Sequence, residues 1–411
     1  MDGQKLKKKK DKMIYHLFKL FESLGWNLPG GGLMNYISFR AMMSSITALL
    51  VALVAGKKII AWLQKKQIGE TIRDLGLEGQ MAKKGTPTMG GIIIILSILA
   101  GTLLFCRLDN IYTILLTVTA LWLGGLGFAD DYIKVFKHNK EGLSEKAKLL
   151  GQFVLALGIG LAICFVPQFW GGETKEIVTT IPFVKAHEFN YAWLIPFKGQ
   201  FGMYCTWVLY VLVIIFVILA CSNGTNLTDG LDGLAAGTSA IVGIVIGIFG
   251  WLSSSTVNSD YLNIMYLPGS GEVAVFMAAF AGALLGFLWY NCYPAQVFMG
   301  DTGSLALGGI IGVAAMLTRK ELLLPILCGI FLVESLSVLM QRGYFKYTKK
   351  RYGEGKRIFR MSPLHHHFQK EGIPAIIQTP AKAMPESKIV GRFWIVGIIL
   401  AVATLALLKL R

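Results

Sequence analysis

Ten apolar runs dominate this chain and leave it few ways to fold. They lie near 39–63, 90–108, 111–129, 149–168, 204–222, 233–252, 272–290, 304–318, 322–341 and 391–410. A helix needs about 20 residues to cross a hydrocarbon core of ~30 Å. Hydrocarbon offers no partner to an open backbone, so runs of this length read as membrane-spanning helices. The run near 304–318 is the shortest and is rich in Gly and Ala. Only 16% of the 411 residues are charged and the mean hydropathy is +0.57. Soluble domains carry about 25% charge, so a large soluble core is excluded. The expected fold is an all-α integral membrane protein of about ten transmembrane helices, forming a single polytopic domain over 13–411. Residues 1–12 are a lysine-rich tail, and 13–25 repeat apolar groups at the spacing of a short interfacial helix. No short apolar core with a small-residue cleavage site follows the lysines, so no cleavable signal peptide is expected.

Lys and Arg in the connections set the orientation. Loops 64–90, 130–148 and 342–390 hold 5, 5 and 11 of them. The other side holds Arg107, Lys175, Lys185, Lys198, Arg319, Lys320, Lys409 and Arg411. The first three loops therefore face the cytoplasm, and both termini face outward. The lysine tail runs against this assignment. The outer loop 169–203, with its HEFNYAWLIPF stretch, predicts a small hairpin; 253–271 is the second long outer loop. Six scattered cysteines, without zinc spacing, argue against a disulfide framework or metal–thiolate site. No internal repeat is visible, which disfavours a repeat-built transporter.

The polar motifs all fall on the cytoplasmic side. In NLTDGLDGL, Asn226 to Leu234, Asp229 and Asp232 are three residues apart among glycines, between two apolar runs. Ionisable groups at a membrane helix end mark a site, and glycines let a ligand approach the backbone. A plain glycine-rich connector with one capping Asp is the competing reading. KKGTPTMGG, Lys83 to Gly91, offers a lysine, two threonine hydroxyls and open backbone to a phosphate or a base, or is a solvated turn. Asp130 and Asp131 are adjacent acids, whose repulsion calls for a proton or cation unless they sit at a solvated helix end. Lys146 follows a Ser144 helix cap and can reach phosphate. NCYPAQVFMGDTGS, Asn291 to Ser304, places Asp301 in a turn before a small-residue helix. That setting suits Mg²⁺, which takes few carboxylates and completes its shell with water and phosphate, or an Asx cap. Phe298 offers a face to a base. RGYFKYTKKRYGEGKRIFR reads as a segment drawn to anionic lipid, and the membrane setting disfavours nucleic acid. His365, His366 and His367 are consecutive, so only one or two can reach one point. Acids and bases without thiols, gathered on one surface, suggest Mg²⁺-dependent chemistry on a phosphate ester.

At these residues the chain resembles the phospho-N-acetylmuramoyl-pentapeptide-transferase family, within the polyprenyl-phosphate N-acetylhexosamine-1-phosphate transferases. KKGTPTMGG, Asp130–Asp131, NLTDGLDGL, the NxxPAxVFMGDTGS pattern and SPLHHHF occur in family order. The resemblance runs from the first span to the C-terminus; the lysine tail and long outer loops depart from it. It implies ten spans, outward termini, a cytoplasmic active site in the bacterial inner membrane and a homodimer. It also implies transfer of phospho-MurNAc-pentapeptide from UDP-MurNAc-pentapeptide to undecaprenyl phosphate, giving lipid I and UMP. The fifth span is expected to bend and open a groove for the lipid tail. Carried onto this chain, Asp301 is the Mg²⁺ ligand. Lys83, Thr88, Asn226, Asp229, Gly230, Leu231, Asp232 and Phe298, with Asn291, line the nucleotide side. Asp130, Asp131, Lys134 and Lys146 sit near the reacting phosphates, and His365 and His366, with Gln341, complete the site. Single displacement with Asp130 handling the last proton, and double displacement through an aspartyl phosphate, both fit. A transferase of GlcNAc-1-phosphate and a transporter using intramembrane acids are the rival functions.

Overall fold

The computed structural model describes Tyr15 and residues 31–66, 85–137, 139, 141–169, 177–184 and 188–408. The basic tail, Lys83 and all of 13–25 except Tyr15 lie outside the described residues.

Each apolar run lies on a helix. In chain order these are α1 (Ile37–Lys66), α2 (Gly91–Phe105), α3 (Ile111–Phe136), α4 (Glu145–Phe165), α5 (Gly199–Thr228), α6 (Leu234–Ser253), then the short α7 (Thr256–Leu262) and α8 (Gly271–Asn291). They continue with α9 (Gly300–Leu317), α10 (Leu324–Leu327), α11 (Gly329–Tyr352), the short α12 (Leu364–Gln369) and α13 (Glu386–Leu407). Among the described residues eight helices are long and apolar enough to cross a membrane. The pair Glu321–Leu327 and Gly329–Tyr352, bent by 76° at the break, is apolar enough to make a ninth if the two count as one broken span. Helix α2, with 15 residues, is shorter. Most of it is buried against α1, α8 and α9 rather than lipid. Helix α5 runs unbroken through 30 residues, roughly 45 Å at 1.5 Å per residue. It therefore outruns the hydrocarbon core.

The sequence explains which helices sit inside. Helices α8 and α9 are apolar all round, rich in Gly and Ala, and buried along nearly their whole length. Such helices belong in a core. Helix α9 packs along α3 and α5, while α8 packs along α1 and α6. Helix α5 instead shows Tyr204, Val208, Leu212 and Phe216 on one exposed stripe at a spacing of four, the pattern of a lipid-facing side. One buried ion pair staples this assembly. Arg40 of α1 donates to both oxygens of Glu272 of α8 at 2.7 and 2.9 Å, and to the Phe105 carbonyl at 3.1 Å.

The expected hairpin is present. Strands β1 (Val178–Thr180) and β2 (Glu188–Asn190) pair antiparallel, with Thr179 opposite Phe189. It is tied to the far end of α9, where Thr179 Oγ1 donates to the Arg319 carbonyl at 3.0 Å. Lys320 Nζ donates to Thr180 Oγ1 at 2.7 Å, Arg319 to the Tyr210 hydroxyl at 2.7 Å, and the Tyr191 hydroxyl to Glu321 at 3.0 Å. Burial pulls the Lys320 ammonium down to about 8, with Glu321 opposing.

Candidate active site

The near end of α9 opens at Gly300, whose φ of +72° is a left-handed value that favours glycine. A Cβ there would also lie 2.5 Å from Asp131 and 2.9 Å from the Thr88 hydroxyl. This turn delivers Asp301 to the last turns of α3. Asp130, Asp131 and Asp301 each present an oxygen within 4.8 Å of the others. Two lysines bridge them. Lys134 Nζ sits 2.5 Å from Asp130 Oδ2 and 3.1 Å from Asp301 Oδ2. Lys148 Nζ, from α4, sits 3.0 Å and 2.7 Å from the same two oxygens. Asn226, in the last turn of α5, donates to Asp301 Oδ1 at 2.8 Å and to Ser304 at 2.9 Å. Asp130 Oδ1 accepts the Leu143 amide at 2.7 Å.

Asp131 faces differently. Its carboxylate accepts the Asp301 amide (3.1 Å), the Thr302 amide (2.8 Å) and the Thr302 hydroxyl (2.6 Å). It caps α9 from a neighbouring helix, where the amides have no partner of their own and the dipole favours negative charge.

A wall stands beside this cluster. The TPTMGG turn pairs with the VFMG segment: Phe298 N donates to Pro87 O at 2.8 Å, Gly90 N to Phe298 O at 2.8 Å and Gly91 N to Met299 O at 2.9 Å. Asp232 accepts the Ala295 amide at 3.0 Å, and Asn291 accepts the Gly233 amide at 3.1 Å while donating to Val297 O at 2.9 Å. Leu231 is buried with Leu234, Ile389 and Val390. Asp229 follows the end of α5. Burial, then the charges of Asp301, Asp131 and Asp232, push its carboxyl up to about 8.

The last wall is the histidine helix α12. His365 Nδ1 lies 3.1 Å from Glu334 of α11, with both side chains fully buried. The opposite nitrogen, Nε2, has no hydrogen-bond partner and lies 2.2 Å from where a Cβ on Gly230 would be. It points at the loop carrying Asp229.

This constellation coincides with known sequence patterns. Residues 113–319 match the profile of glycosyl transferase family 4. Residues 83–95 match signature 1 of phospho-N-acetylmuramoyl-pentapeptide-transferase. A protein of that name from Parabacteroides distasonis is 56% identical over 97% of this chain and 100% of the relative. Its namesake from Flavobacterium psychrophilum is 51% identical over the same shares. The chain belongs to the phospho-N-acetylmuramoyl-pentapeptide-transferase family.

The fold thus brings together most of the residues singled out by the family motifs. Asp130, Asp131, Lys134, Asn226 and Asp301 form one cluster, with Asp229, Thr88, Phe298 and His365 around it. Lys146 is the correction: it is exposed, and Lys148 takes the place expected for it. Asp232 and Asn291 brace the wall from behind. Gln341 accepts the Ile358 and Phe359 amides, both at 3.0 Å, and His366 bonds Gln369 at 2.9 Å. Glu334 had no signal in the sequence, because a lone acid in an apolar helix belongs to no motif. The donor set fits a hard cation, which takes carboxylate oxygens. Asp301 and Asp130 are the better ligands, since Asp131 is committed to the end of α9.

Proposed function

We propose that this chain transfers phospho-MurNAc-pentapeptide from UDP-MurNAc-pentapeptide to undecaprenyl phosphate, releasing UMP and forming lipid I at the cytoplasmic face of the bacterial inner membrane. The observation that carries this reading is the pair Asp130–Asp301 bridged by Lys134 and Lys148 at the ends of apolar helices. The names and full-length similarity of the relatives favour the muramoyl substrate over a GlcNAc donor.

Phosphoryl transfer needs positioning and charge neutralisation more than covalent help. Lys134 and Lys148 stand where two phosphate groups would meet, and each carries charge toward them. Asn226 fixes the Asp301 rotamer, and Asp131 holds the turn that presents it. Mg²⁺, held by Asp301 and Asp130, would neutralise charge on the pyrophosphate. The lipid phosphate oxygen attacks the sugar-linked phosphorus, that phosphorus loses its bond to the bridging oxygen, and UMP leaves with it. A phosphate monoester has a second pKa near ~6, so Asp130 takes or orients a last proton only in the minor protonated fraction. The resemblance further supports a homodimer, which crosslinking in native membranes tests.

The deciding experiment is UMP release from UDP-MurNAc-pentapeptide, with and without undecaprenyl phosphate and Mg²⁺, beside UDP-GlcNAc. Release with UDP-GlcNAc alone would overturn the donor assignment. Asp301→Ala is expected to lose turnover together with its Mg²⁺ response. Near-normal turnover by folded Asp130→Asn at pH 7 would remove Asp130 from the mechanism.

A further inference from the structure

Below the histidine helix a second cleft opens on α11, about 560 Å³ in volume. Arg342, Lys346, Arg357, Arg360 and Lys370 line it, and no acidic side chain does. Arg360 is buried at 4% exposure. Its guanidinium donates to the Lys370 carbonyl at 2.8 Å and to the Gln378 carbonyl. Those carbonyls satisfy hydrogen bonds without supplying a counter-charge. Among the described residues Arg342, Lys346, Arg357 and Arg360 take part in no ion pair. Burying a charge without a counter-ion is unfavourable; that applies to Arg360, and the exposed Arg342, Lys346 and Arg357 add uncompensated positive charge at the mouth of the cleft.

The place of the cleft says which anion. Gln341, Arg342 and Phe345 are 7, 8 and 11 residues beyond Glu334. Those spacings keep one face of a helix. The cleft therefore begins near the α11 face that holds His365, and Arg342 and Lys346, 8 and 12 residues beyond Glu334, open it about 80° and about 120° round the helix. At 1.5 Å per residue Arg342 is roughly 12 Å and Lys346 roughly 18 Å along the axis from Glu334. A five-residue peptide, extended, spans roughly 17 Å. The cleft is also preorganised, since Gln341 is clamped to the backbone of Ile358 and Phe359 and Arg360 N bonds His367 at 3.1 Å. Phe345, Met361 and Ile373 supply apolar wall between the cations. The helix-end cations Lys349, Lys350 and Arg351 lie outside the lining, and Arg351 is held by Tyr347 and Tyr352.

We infer that this cleft is a subsite for the carboxylate-bearing peptide of the donor substrate, with Arg342 and Lys346 reading its C-terminal carboxylate and Arg357 and Arg360 fixing the field behind it. The inference rests on the donor being the peptide-bearing UDP-sugar argued above. Arg342 and Lys346 are exposed, so their replacement does not disturb the fold. Arg342→Gln/Lys346→Gln is the test variant, in nanodiscs of neutral lipid. Equilibrium binding of UDP-MurNAc-pentapeptide is compared with that of its C-terminal amide. The wild type is expected to bind the acid about tenfold tighter than the amide, and the double variant to bind both alike. Equal binding of acid and amide by the wild type, or an acid preference surviving in the double variant, overturns the subsite. So does a loss that appears only with phosphatidylglycerol present and falls equally on acid and amide, because that pattern belongs to a lipid headgroup. UMP release is scored separately. Acid preference without UMP release would sink the transferase reading and leave the subsite standing.

Discussion

Asp130 and Asp131 are neighbours in the chain with opposite jobs. Their side chains leave α3 about 100° apart, so one meets two lysines and the other the amides of α9. Asp131→Ala removes three hydrogen bonds to a carboxylate. It is expected to destabilise the protein by roughly 2–3 kcal/mol, read as a lower melting temperature in mild detergent, and Asp131→Asn should recover part of that. A second prediction concerns Asp229, whose carboxyl is held at about 8 against an ordinary 3.8. The folded state then binds more protons than the unfolded one between those values. Stability from this group is full below the unfolded value and is lost as pH rises through about 8. Asp229→Asn cannot ionise, so its melting temperature relative to wild type should climb from pH 5 to pH 9; a constant difference would refute the shift. The motif NLTDGLDGL announced a site in the sequence but not its division of labour. Asn226 turns to Asp301, Asp229 borders the cluster and Asp232 braces a loop. Those differences depend on neighbours more than 60 residues away, which local sequence does not carry.

At the level of elements, the site is a close crossing of helices. A Cβ on Gly127 of α3 would lie 2.1 Å from the Asp301 carbonyl oxygen, a contact with backbone that no side-chain rotation relieves. Gly127→Ala must push α9 away and carry Asp301 off the lysines. Turnover is expected to fall at least a hundredfold, about 2.7 kcal/mol of transition-state stabilisation, with a lower melting temperature. Gly125→Ala is the control, since nothing lies within 4 Å of its Cβ position. Equal activity of the two variants would contradict the crossing. Apolar run length made the helices legible, and the aromatics and prolines of 169–203 marked the hairpin. Helix phase was not legible. Lys146 and Lys148 are both basic and both in the first turns of α4, yet two residues turn the side chain by about 200°. Only the packing of α4 against α3 and α5 decides that Lys148 points inward.

Across the whole molecule, the carboxylates and the hairpin stand at opposite ends of α9. Its 18 residues span roughly 27 Å, close to the thickness of a hydrocarbon core. This resolves part of the charge pattern. Arg319 and Lys320 counted against the outer side in the sequence, but both are buried, bonded to Tyr210 and Thr180. Charges of that kind hold a loop to the bundle and do not read as flanking positives. The proposed orientation, read from the remaining bias, has the hairpin outside and the carboxylates inside. Two thiols test it. Cys292 is exposed beside the proposed site, and every other cysteine is buried or half-buried. Phe183 is exposed in the hairpin turn, and Phe183→Cys adds a thiol there. A membrane-impermeant maleimide should label Phe183→Cys in intact spheroplasts and reach Cys292 only after permeabilisation. Labelling must be run at pH 8 or above, because partial desolvation at its base, then the Asp232 charge, raise the exposed Cys292 thiol and thin out its reactive thiolate. Labelling of Cys292 in sealed cells, with Phe183→Cys protected, would invert the molecule and place the proposed chemistry on the side where a nucleotide donor is absent.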